Sequence, residues 1–135
     1  MSEKNKGIEF ITKLIELTQK SVIKWSSSDP SKIKDKNAAW NIIGSFIADY
    51  KSKKMRVYSY RHKVKIDPRF RALNFSFEQD DEWEVVVESR LELIDVHENV
   101  LWRFSNLNPT GDLFKAVQKQ VSGVDNFIDN VLSEK

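Results

Sequence analysis

Two histidines, two carboxylates four residues apart and one basic stretch threaded with tyrosines are the residues of this 135-residue chain whose types and spacing could do chemistry. His62 lies in an alternating segment, on the face it shares with Tyr58, Tyr60, Val64 and Ile66. That setting predicts a packed imidazole rather than a catalytic base. His97 sits beside Glu98 in the polar run Asp95–Asn99, which reads as a solvated turn. Asp125 and Asp129 fall on one face of a helix, where two carboxylates can bind a metal or share a proton. No third ligand stands at a recognisable spacing, so they read as a solvated face and no metal site is assigned. The chain has no cysteine, hence no thiolate ligand, disulfide or cysteine nucleophile. Its four glycines form no phosphate-cradling loop, and it has neither a nucleophile elbow nor an HExxH motif. No catalytic residue and no cofactor are assigned, and the chain is expected not to be an enzyme.

The charges are segregated. Lys51 to Arg71 holds nine Lys/Arg against the single acid Asp67, and Glu78 to Glu98 holds nine Asp/Glu against the single base Arg90. Lys53, Lys54, Arg56, Arg61, Lys63 and Lys65, interleaved with Tyr58 and Tyr60, are the candidate nucleic-acid-binding residues, since cations can hold phosphates while aromatic rings stack on bases. Alternation argues against this use: Tyr58 and Tyr60 share a face with Val64 and Ile66, whereas Arg61, Lys63 and Lys65 point the other way. If the basic and acidic strands are neighbours, their outer faces are expected to form a ladder of opposite charges that neutralises itself. The alternative is that each stretch meets its opposite on a second copy of the chain.

The elements that must position these residues follow from length and hydrophobic period. With 40% hydrophobic and 31% charged residues and a net charge of +2, the chain reads as a single soluble domain over residues 1–135 and not as a generic nucleic-acid binder. No apolar run is long enough to span a bilayer and the N-terminus lacks a signal peptide, so no membrane association and a cytoplasmic location are expected. Residues 1–6 read as a disordered tail. Ile8, Ile11, Leu14, Ile15 and Thr18, flanked by Phe10 and Leu17, predict a helix from about Gly7 to Lys20. Val22, Ile23 and Trp25 could open a short strand, and residues 26–37 read as a flexible surface loop. Period-two patterning then predicts strands over Ala38–Tyr50, Met55–Ile66, Arg71–Phe77, Trp83–Leu93 and Val100–Phe104, with an acidic turn at Gln79–Glu82 and a break at Asp67-Pro68. A final helix is predicted over Asp112–Leu132, with Gly123 marking close packing or a kink. The fold class is α+β: an N-terminal helix, an antiparallel meander of five or six strands and a C-terminal helix, both helices on one sheet face.

Leu17-Thr18 with Ile23-Lys24-Trp25, then Leu91–Asp95, then Leu113-Phe114, Val117, Gln120, Gly123–Asp125 and Phe127–Asp129, together form a pattern that resembles small uncharacterised bacterial proteins of helix, β-meander, helix build. The resemblance covers most of the chain, excluding residues 26–37 and 51–71. It implies the fold and a bacterial cytoplasmic setting, and it transfers no functional residue. The expected role is a non-enzymatic protein-interaction or regulatory domain whose partner is a second copy or another protein. A wide apolar stripe on the last helix could serve that contact. The alternative is a nucleic-acid-binding module using residues 51–71; small-molecule binding or catalysis ranks third.

Overall fold

The computed structural model describes residues 3–33, 40–65, 83–104 and 107–134. The expected strand at Arg71–Phe77, the break at Asp67-Pro68 and the acidic turn at Gln79–Glu82 lie outside the described residues. Within these, α1 (Glu3–Gln19) is followed by β1 (Ser26–Ser27), a 3-10 turn (Pro30–Lys32), β2 (Asn41–Tyr50), β3 (Lys53–Lys65), β4 (Trp83–Ile94), β5 (Val100–Arg103), α2 (Pro109–Ser122) and α3 (Val124–Leu132). The five described strands form one antiparallel sheet in sequence order. The α+β architecture read from the sequence is the one observed.

Several boundaries differ. The first helix begins at Glu3, inside the stretch expected to be a tail. The polar run 26–37 contributes a strand and a helical turn, and Ile33 within it is buried. The last helix is two: Gly123 adopts φ +65°, caps α2 through its N–H on the Gln120 carbonyl and starts α3. Nothing lies near the Cβ it lacks, so backbone conformation and not close packing demands glycine here.

The main core lies between the helices and one sheet face. Ile11 and Leu14 of α1 and Leu113, Phe114 and Val117 of α2 close over Ala48, Met55, Val57 and Leu91. Thr18, Trp25 and Gln120 tie this side together. The Trp25 indole N–H donates to the Thr18 hydroxyl at 3.0 Å. The Gln120 amide oxygen accepts from the Trp25 backbone N–H at 2.7 Å, while its NH2 donates to the carbonyls of Thr18 and Ile23 at 2.9 and 2.7 Å. These residues hold the chain reversal after α1 against α2, so their role is structural.

A second cluster lies on the opposite sheet face. There Tyr58 and Tyr60 are buried with Ile33, and Trp40 and Ile42 pack against them. The tyrosines are thus interior, as expected, but turned away from the helices. An irregularity between Ile42 and Gly44 of β2 sets Ile42 beside Tyr60 while Phe46 and Ala48 stay on the helix side. β3 is buried on both faces from Met55 to Tyr60, so alternation alone could not say which face the helices cover.

Candidate interaction surface

Parity in the β3–β4 ladder decides where the charges go. Arg56 pairs with Glu92, Tyr58 with Arg90 and Tyr60 with Glu88, whereas Arg61, Lys63 and Lys65 lie opposite Val87, Val85 and Trp83. The expected ladder of Arg61, Lys63 and Lys65 against Glu84, Glu88 and Glu92 therefore does not form. The two strands are neighbours, but an antiparallel register that pairs odd with odd places those cations and those acids on opposite faces.

Neutralisation instead takes place in a buried knot around Arg56, whose side chain is 0% exposed. Its guanidinium lies 3.4 Å from the buried Glu92 and 3.3 Å from Glu98. Arg103 reaches Glu92 at 2.9 Å. Glu98 is presented by the β4–β5 turn, where Asp95 accepts the backbone and side-chain N–H groups of Asn99 and the backbone N–H of His97, and those bonds hold the Asp95 carboxyl below its usual range. Arg56 is unavailable to a phosphate. Of the other candidate nucleic-acid contacts, Lys53, Arg61, Lys63 and Lys65 are exposed and Lys54 is half-buried. The tyrosines that were to stack on bases are buried on the far face: Tyr60 stacks on Trp40 at a centroid distance of 4.0 Å, and the Arg90 guanidinium lies 4.6 Å over Trp40. Trp83, by contrast, is exposed on the same face as Arg61, Lys63 and Lys65.

His62 packs beside Tyr60, with its Nε2 3.3 Å from Glu88. The other oxygen of Glu88 accepts the Tyr60 hydroxyl at 2.6 Å. This bond holds the Glu88 carboxyl below its usual range, while burial and Glu88 push the Tyr60 phenol up to about 12. His62 borders an open cavity of about 440 Å³ with Asn41, Arg61, Lys63, Trp83 and Val85, none of which is a hydroxyl or thiol nucleophile. His97 is exposed in its turn, and among the described residues no group of three carboxylate or imidazole ligands could hold a metal.

Two apolar features of the helices stand out. The first is α3. Phe127, Ile128, Val131 and Leu132 are 66%, 46%, 52% and 77% exposed, although helical spacing gathers them on one face. Its acids, Asp125 and Asp129, are exposed, it contains no Lys or Arg, and Asp125 lies 3.7 Å from Lys119 of α2. The expected apolar stripe is thus split at Gly123: Leu113, Phe114 and Val117 cover the core, and no residue of α3 is buried.

The second is a groove of about 490 Å³ beside α1. Phe10, Lys13, Leu14 and Leu17 form one wall, Tyr50, Lys51 and Lys53 of the β2–β3 hairpin the other, with Met55, Leu93 and Phe104 completing it. Phe10 stacks on Phe104 at 5.2 Å, and the Lys51 ammonium lies 5.7 Å from the Tyr50 ring centre. Both turn residues of the hairpin, Lys51 and Ser52, have positive φ, at 50° and 66°. Sequence reasoning did not find this groove. The available signal was the breadth of α1's apolar face, which Phe10 extends past what the core uses.

No protein-family model matches the chain, and neither a curated protein nor a solved structure shows significant similarity to it. No helix among the described residues is long and apolar enough to cross a membrane.

Proposed function

We propose that the chain is a non-enzymatic protein-interaction domain that works as a homodimer, with α3 as its contact element. The observation that carries this reading is the exposed apolar face of α3. Four large apolar side chains on one face form the kind of contiguous patch that marks contact sites. A nine-residue helix is also shorter than the roughly 12–15 residues at which an isolated helix becomes stable in water, so α3 gains from a docking surface. The resemblance drawn from the sequence adds a bacterial cytoplasmic setting. Light scattering on the full chain across micromolar concentrations tests the reading: a dimer that becomes monomeric on truncation after Ser122 supports it, and a strict monomer sinks it.

Trp83 favours a second reading, single-stranded nucleic acid bound on the outer end of β3 and β4. Arg61, Lys63 and Lys65 would hold phosphates while the exposed indole stacks on a base. Quenching of tryptophan fluorescence by oligonucleotides at low salt, reversed steeply by added salt and absent in Trp83→Ala, is the expected signature.

A further inference from the structure

We infer that the groove beside α1 is the receptor for α3 of a second copy, so that two chains exchange their last helices reciprocally. This deepens the proposed homodimer by naming the surface that receives α3, and it rests on that reading.

The two features complement each other in shape and charge. Helical spacing sets Asp125 and Asp129 along one edge of the α3 apolar face, with Asp125 also 3.7 Å from Lys119 of α2. The groove carries cations on both walls, Lys13 from α1 and Lys51 and Lys53 from the hairpin, around an apolar interior. Lys13 is shared with Glu16 at 3.3 Å, while no acid among the described residues lines the groove. An amphipathic helix laid into an apolar groove is a common mode of recognition, with the charged rim fixing its orientation.

Charge also selects among the other occupants. Packing α3 against α3 of a second copy would set Asp125 and Asp129 against the same two acids, with no base in either helix. Docking into the groove of the same chain would require α3 to turn back past the end of α1, because Gly123 lines a cleft with Thr18, Gln19 and Ser21 at that end. Reciprocal exchange needs neither, and it closes as a two-fold dimer.

Charge reversal tests this on the full chain, at exposed positions whose contacts within the monomer lie at the surface, Lys119 beside Asp125 and the Tyr50 ring beside Lys51. One variant carries Lys51→Glu and Lys53→Glu, the other Asp125→Lys and Asp129→Lys; far-ultraviolet circular dichroism checks that each is folded. Each variant alone should dimerise at least about tenfold more weakly than the parent chain, as when a charge pair across an interface is set against itself. Mixing the two should restore a dimer, because both interfaces of the mixed pair are then complementary. A groove variant that dimerises as the parent does, while truncation after Ser122 abolishes the dimer, overturns the groove as receptor and leaves α3 as the contact element. A dimer that survives the truncation, or a parent chain that stays monomeric, overturns both. Assemblies larger than a dimer overturn reciprocal closure.

Discussion

Arg56 shows how a residue read as a phosphate contact becomes a structural one. A guanidinium with no exposure, between Glu92 and Glu98, is tolerated because its charge is matched on the spot. Breaking a buried pair costs about 3–5 kcal/mol because a charge is left uncompensated. Arg56→Ala is expected near the low end, about 3 kcal/mol, since Arg103 still reaches Glu92. A denaturant titration giving a loss below about 1 kcal/mol would contradict the knot's role. Tyr60 carries a pH signature. Burial and the Glu88 carboxylate hold its phenol near 12, and burial raises the neighbouring Tyr58 as well. The unfolded chain releases these protons from about pH 10, while the folded chain keeps them longer. Stability is therefore full below about pH 10 and falls as the pH rises towards 12. Tyr60→Phe should flatten that loss and cost about 1 kcal/mol near neutrality through the lost bond to Glu88. An unchanged alkaline unfolding profile in Tyr60→Phe would contradict the assignment.

Among the elements, the β2–β3 hairpin and α3 are the least settled by their own sequences. The hairpin turn needs two residues at positive φ, a geometry that suits the twist of the strands and favours Asn-Gly. Lys51 and Ser52 adopt it instead, against a left-handed penalty of roughly 1–2 kcal/mol for a residue with a Cβ. Ser52→Gly is expected to raise stability by about 1 kcal/mol, read as a higher midpoint in urea. A lower midpoint would mean that the Ser52 side chain stabilises the turn. Helix α3 has the opposite character: its apolar periodicity is strong, and its main contact with the rest of the chain is with α2 at the glycine joint. Its amides are expected to exchange with solvent much faster than those of α2 in dilute solution and to slow as protein concentration rises. Exchange independent of concentration would show that no second copy covers it.

For the whole molecule, the layer arrangement follows from burial. The sheet receives the helices on the face carrying Met55, Val57 and Leu91, and closes its other face with Tyr58, Tyr60, Trp40 and Ile33. Beyond this double core β3 and β4 continue outward, and there the cations share a face with exposed Trp83, Val85 and Val87. What the described residues leave uncovered is therefore concentrated at the strand ends, on the edge strand β5 with Leu101 and Trp102, in the groove beside α1 and along α3.

Much of this was legible in the residues themselves. The helical period of Ile11, Leu14 and Thr18, the alternation along Trp83–Leu93 and the turn chemistry of Asp95–Asn99 specify local structure because each depends on neighbours a few residues away. Gly123 was marked as a site of close packing or a kink within one helix, and the structure makes it the joint between two. The partners of the charges were not legible. A strand's period says that Arg56 and Arg61 point to opposite faces, yet not which face meets Glu92 or which lies beneath the helices. That depends on register between segments distant in sequence, and a shift of one residue would exchange the buried knot with the exposed cations. The groove likewise exists only where α1 meets the β2–β3 hairpin. The sequence determined the elements and their apolar faces; the tertiary structure alone decided which charges neutralise one another and which apolar faces remain open to a partner, because both are properties of pairing across the chain.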